Sequence, residues 1–127
     1  MAWTVNSLVD QAACSAIGAL FNGGSVRLTD SGASELAAPA FNATAFGTPT
    51  NAHPSVAAAN AFTGDASFTA GTIANIAFRN SGGTTLISGT VGVGSGDFQV
   101  SSADIPGSGV DYISLSALNL TVSMAGA

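Results

Sequence analysis

From Val5 to Leu20, apolar side chains fall at Val5, Leu8, Val9, Ala12, Ala13, Ala16, Ile17 and Leu20. At 100° per residue these three- and four-residue steps gather on one side of a helix, and the pattern predicts a helix over residues 5–22. Thr4 or Ser7 is placed to cap its start, while Asn22-Gly23-Gly24 supplies residues that tolerate the left-handed geometry on which helices commonly end. The small side chains Ala12, Ala13 and Ala16 occupy the middle of the stripe, which predicts close docking on a β-layer. Trp3, Ile17 and Phe21 lie to one side, beside Asp10 and Cys14, so the apolar area is wider than one packing surface needs. These three residues read either as further core or as a subunit contact.

From Ser25 the period changes to two. Val26 and Leu28 alternate with Ser25, Arg27 and Thr29 before an Asp30-Ser31-Gly32 turn, which reads as a first strand. Between about residues 34 and 61, Pro39, Pro49 and Pro54 block a continuous ladder while Phe41, Phe46 and Val56 call for burial, so short strands joined by a surface-hugging loop are expected. Ala74, Ile76 and Phe78 then alternate with Asn75, Ala77 and Arg79, and Asn80-Ser81-Gly82-Gly83 leads into residues 84–91, a β-hairpin. A strand around residues 97–101 and a terminal one carrying Leu118, Leu120, Val122 and Met124 on one face complete the pattern. Many short strands, Gly-rich turns and one helix predict a mainly β fold, an antiparallel β-sandwich or jelly-roll-like barrel with the helix packed outside. The expected organisation is one domain over 1–127, with the helix at 5–22 and a β-rich region at 25–124.

The chain has 127 residues, enough for a core without disulfides or metal, and Cys14 is its only cysteine. Only 7% of residues are charged, against about a quarter in ordinary globular proteins, and lysine is absent. The surface is therefore made of Ser, Thr, Asn, Ala and Gly, groups cheaper to desolvate than ammonium or carboxylate. Arg27 and Arg79 are the only strong bases at a net charge of −5, which argues against nucleic acid and anionic membrane as partners. Met1 to Phe21 has no basic segment, and Asp10 interrupts its apolar run, so a protein made in the cytoplasm without Sec export is expected.

Chemistry is sparse. His53 is the only histidine, followed by Pro54 in the irregular segment, and no Gly-x-Ser-x-Gly elbow surrounds any serine, so no catalytic residue is assigned. Asp10, Asp30, Glu35, Asp65, Asp97, Asp104 and Asp111 are dispersed. The pairs Gly64-Asp65 and Gly96-Asp97, with Asp111, would bind calcium only if strand ends converged, and no acidic loop motif supports a metal or a cofactor. Residues 91–96 alternate Val, Gly and Ser like a phosphate loop but lack its Lys-Ser/Thr ending, and read as a tight strand connection. Phe41, Phe46, Phe62, Phe68, Phe78 and Phe98 read as core.

The order of features carries a resemblance: the Ala-rich helix around Asp10-Gln11-Ala12-Ala13, Phe21-Asn22-Gly23-Gly24, Val26-Arg27-Leu28, Leu36-Ala37, Ala45-Phe46-Gly47, the hairpin 76–83 and Ile87-Ser88-Gly89-Thr90-Val91-Gly92. Over nearly its whole length the chain resembles a family of small head structural proteins of tailed bacteriophages and phage-like particles. The resemblance implies a virion component on the capsid surface, a decoration, cement or head-fibre-base protein that assembles as a homo-oligomer, a trimer or pentamer, on the major capsid protein. It brings no catalytic residues. A glycan- or cell-binding adhesive module of a fibre or tail is the alternative, and Trp3, Ile17 and Phe21 are the candidate subunit contact.

Overall fold

The computed structural model of the chain describes residues 6–100 and 102–122. It is mainly β with a single helix, as the pattern predicts. The helix α1 spans Ser7–Ala19. Its cap is neither Thr4, which lies outside the described residues, nor Ser7, but Asn6, whose side-chain oxygen accepts the Leu8 N–H at 2.9 Å.

Among the described residues nine strands follow: β1 (Ser25–Thr29), β2 (Glu35–Ala37), β3 (Ser55–Ala58), β4 (Gly71–Thr72), β5 (Asn75–Arg79), β6 (Thr85–Gly92), β7 (Phe98–Gln99), β8 (Asp104–Ile105) and β9 (Asn119–Val122). The main sheet has the order β2-β1-β5-β6-β7, and β3–β9 and β4–β8 form two-stranded sheets, a sandwich-like arrangement. All pairs are antiparallel except β6–β7, which is parallel. The strand expected over 97–101 is shortened to two residues, because the chain loops back through Gly94 and Gly96 at φ 72° and 92°. The terminal strand pairs with β3, outside the main sheet, and Met124 lies beyond the described residues.

Two five-residue turns build the main sheet in the same way. In Asp30–Ser34 and again in Asn80–Thr84, the first side chain accepts the N–H groups two and four residues ahead, at 2.9 Å in the first turn and 3.0 Å in the second. The backbone of the first residue also bonds that of the fifth, at 3.0 Å in both. Short polar side chains that imitate a backbone acceptor are what close such turns. The fourth residue is left-handed in each, Ala33 at φ 65° and Gly83 at φ 82°.

Val26, Leu28, Ile76 and Phe78 point inward from β1 and β5 and meet Phe21, Leu36, Phe41, Ala45 and Ile105 in one core. Phe41 is its centre, with ring centroids 4.9 Å from Phe62, 5.5 Å from Phe21, 5.9 Å from Phe46 and 6.3 Å from Phe78. The irregular segment therefore supplies core from between its prolines. Its backbone is tied down where no ladder forms, by Phe41 N–H to the Gly24 carbonyl and Ala40 against Thr63 in both directions, each at 2.9 Å.

The helix docks on β3 and β9, but with a face other than the expected one. Asp10, Cys14 and Gly18, spaced four apart, are its buried residues, and Ile17 packs against the core from the same side. Leu8, Val9, Ala12, Ala16 and Leu20 are exposed. The physical reason is closeness of approach. A methyl group on Gly18 would stand 3.3 Å from the Phe46 ring, and the Cys14 thiol lies 3.7 Å from the Leu120 carbonyl, so larger side chains do not fit there.

Candidate functional site

Of the three residues offered as a subunit contact, Ile17 and Phe21 form no exposed surface and take the alternative reading, core. Phe21 is 3% exposed and its ring sits 6.1 Å from Phe46 and 6.5 Å from Phe78 in the core. Ile17 is half-buried against that core, and Trp3 lies outside the described residues. The correction follows from the helix rotation: turning Asp10, Cys14 and Gly18 inward carries Phe21 in with them and turns the Leu8–Leu20 side out.

That outer side is the most distinctive surface of the chain. Leu8 is 57% exposed, Val9 46% and Leu20 56%, and Ala12, Ala16 and Ala19 between them are exposed as well. No charged side chain interrupts it, since Asp10, the single acidic group of α1, is fully buried on the opposite face. Sequence periodicity identified the stripe and assigned it to the core. The available signal for the true inner face was the Asp10–Cys14–Gly18 spacing, a line of small or polar residues that allows close backbone approach.

A polar seam holds the helix in this orientation. Ser7 donates its hydroxyl to Asn51 at 2.6 Å, Gln11 donates to the Pro49 carbonyl at 3.0 Å, and His53 Nδ1 pairs with the Asp10 carboxylate. Asp10 is completely buried whereas the His53 side chain is 46% exposed, so the imidazole covers a carboxylate at the edge of the protein. A histidine beside a carboxylate is two-thirds of a nucleophilic constellation, but the neighbouring nucleophiles are committed elsewhere. Ser55 donates to the Thr50 carbonyl at 2.6 Å, Ser7 to Asn51, and Cys14 to Leu120. The pair works as a latch between α1 and the 49–55 loop.

Asp30, Asp65 and Asp97 are spent on backbone. Asp65 accepts from Ala38 and Ser67 at 2.8 Å, and Asp97 accepts the Thr90 N–H at 3.0 Å. Among the described residues no three His, Cys, Asp or Glu side chains come together. The two bases share the outer face of the main sheet, where Glu35 lies 3.2 Å from Arg27 and 3.7 Å from Arg79, so their charge is partly cancelled. An apolar cavity of about 220 Å³ opens between β6, β7 and β9, lined by Phe rings, Ile87 and Leu118 to Thr121. It is smaller than the roughly 300–1,000 Å³ of ligand pockets and brings few polar groups to fix an orientation. Val91 to Gly96 form the end of β6 and the tight connection into β7.

No family model, curated protein or solved structure matches the chain. What the site can do therefore rests on its own residues: apolar, uncharged contact along a helix about 20 Å long, with its backbone held from beneath by a polar seam. Among the described residues no helix is long and apolar enough to cross a membrane.

Proposed function

We propose that this chain is a structural virion protein that decorates or cements the outside of a phage capsid, or forms the base of a head fibre. One observation carries the reading beyond the resemblance. Leu8, Val9 and Leu20, with Leu86, Ile87, Val93 and Val110, stand exposed on a surface made mostly of small neutral side chains. Such a surface is costly to leave in water and cheap to cover, which suits a protein that spends its working life against a shell or against copies of itself. Its partners in this reading are the major capsid protein and further copies of the chain, and no bond-making chemistry is part of it.

The test is made on particles. Virions purified with and without the gene are compared by mass spectrometry, negative staining and heat challenge. The reading expects the chain in the wild-type particles and a loss of surface features or of thermal resistance without it. Absence from purified particles, or unchanged features and stability in the deletion, overturns it.

A second reading, a glycan- or cell-binding module, has one observation in its favour. Tyr112 is 61% exposed beside Phe62, Ser114 and Ser116, an aromatic face with hydroxyls around it. Among the described residues Tyr112 pairs with no other ring, so the platform they form is a single residue. Binding on a glycan array that Tyr112→Ala abolishes would favour this reading over the first.

A further inference from the structure

We infer that the opening between β6 and β9 is a strand-acceptor slot, into which a partner protein inserts one extended arm with apolar side chains at alternate positions and basic residues at its flanks.

Two backbone edges select a peptide as the occupant. Strand β6 pairs with β5 from Thr85 to Thr90 but with β7 only at Val91 and Gly92, so among the described residues Thr85 to Ser88 have a strand on one side alone. The Val91 N–H donates to the Ala74 carbonyl at 2.8 Å, which fixes the parity of the ladder: Ile87 and Gly89 turn their backbone groups to β5, and Ser88 turns its own away. The next residue on that edge, Thr90, already gives its N–H to Asp97, so the free stretch ends there. On β9 the Ala59 N–H donates to the Leu118 carbonyl at 2.8 Å, and by the same count Leu120 faces β3 while Asn119 and Thr121 face away. Among the described residues no third strand lies along that edge.

Both edges border one opening. The apolar cavity of about 220 Å³ is bounded by Ile87 on the β6 side and by Leu118, Asn119, Leu120 and Thr121 on the β9 side, over a floor of Phe rings. A strand lines a cavity with consecutive residues only where the cavity runs along its edge, since a face shows every second one. A void of about 150 Å³ already holds a benzene ring, so this floor takes the inward side chains of a short strand. The outward ones meet water, which sets the alternation.

Exposed strand edges are ordinarily blunted by charge, proline or brevity. The ends of the main sheet are: β2 has three residues and carries Glu35, and β7 has two and follows Asp97. Thr85–Ser88 and Asn119–Val122 carry neither charge nor proline. A small apolar ligand would fill the floor and leave both rows of N–H and carbonyl groups unpaired. An extended peptide pairs them, its main chain supplying affinity and the Phe floor its preference for apolar side chains. A net charge of −5 favours an arm with basic flanks over a segment of a second copy. The inference stands on the strand edges and does not depend on the virion reading.

Backbone amide exchange of the full chain, read by NMR, tests it with short synthetic peptides that carry valine, leucine or phenylalanine at alternate positions, threonine between them and lysine at each end. In the free chain the Ser88 and Thr121 amides are expected to exchange fast, and a bound peptide to slow both at least tenfold. The same peptide with one central backbone nitrogen methylated keeps its apolar side chains but loses a hydrogen bond, and is expected to bind at least about fivefold more weakly. Equal binding of the methylated peptide would reduce the site to apolar adhesion and overturn the inference. So would no binding by any of the peptides up to about 1 mM, or binding that leaves the two amides fast. Protection already present in the free chain at every concentration would give the slot to the chain itself, and protection that grows with protein concentration alone would give it to a second copy. Either result overturns the partner arm.

Discussion

Phe41→Ala is the substitution that asks most of the fold. The side chain is 4% exposed and is the one ring that contacts Phe21, Phe46, Phe62 and Phe78 together. Removing it forfeits roughly 2 kcal/mol of apolar transfer. It also leaves a void of about 100 Å³, which adds roughly 2 kcal/mol to the extent that the neighbours fail to collapse. The ring pairs lost with it are worth up to about 1 kcal/mol each beyond their area. The expected cost is therefore about 4 kcal/mol, a large share of the roughly 5–15 kcal/mol that holds a domain folded. In urea, with a slope near 2 kcal/mol/M, the midpoint falls by about 2 M. The control is Phe68→Ala, a half-buried residue in no ring pair among the described residues, expected to cost about 1–2 kcal/mol. Equal midpoint shifts for the two variants, or a shift under about 0.5 M for Phe41→Ala at unchanged slope, would refute the reasoning that the irregular segment supplies the centre of the core.

Two smaller substitutions examine local devices. Ala33 and Gly83 hold the same left-handed position in two turns with the same hydrogen bonds, so Ala33→Gly is expected to raise stability by about 0.5–1 kcal/mol. Gly83→Ala lowers it by a similar amount, because nothing stands within 4 Å of the added methyl and only the backbone angle is tested; thermal or urea melts read both. His53→Ala removes one partner of the buried Asp10 carboxylate and is expected to cost about 1–2 kcal/mol, with amide exchange speeding up first in α1. An unchanged melt together with unchanged exchange would mean that His53 does not latch the helix.

Strands were legible wherever a single face was buried. Val26 and Leu28 in β1 and Ile76 and Phe78 in β5 alternate in sequence and in burial alike, and the turn residues Asp30 and Asn80 announce the two hairpin ends. The irregular stretch was legible only as a segment that wants burial. Which of its aromatics would lie at the centre depends on the Phe41–Gly24 and Ala40–Thr63 backbone bonds, and these are long-range pairings with no local signal. Periodicity also misplaced the helix face, and it left Ile17 and Phe21 between core and contact, of which core is the reading their burial supports. A hydrophobic stripe reports that a face is apolar. It does not report whether the cover comes from the same chain.

That distinction connects the helix to the function. A monomer optimised for its own stability would turn Leu8, Val9 and Leu20 inward, at roughly 1 kcal/mol for each half-exposed side chain so covered. This chain instead spends a buried carboxylate, its only histidine and the Ser7 and Gln11 side chains to hold the small face of α1 against β3 and β9. The latch and the exposed ridge are consequences of one rotation, since the contacts that fix Asp10 inside are the contacts that keep position 16 outside. If the ridge is a contact surface, its rigidity comes from the seam, and association gains by not having to order the helix first. His53→Ala should then weaken retention of the chain on purified particles as well as its stability, although His53 is on the far side of the helix from the ridge, and retention after heat challenge set beside the melt of the free chain separates the two effects.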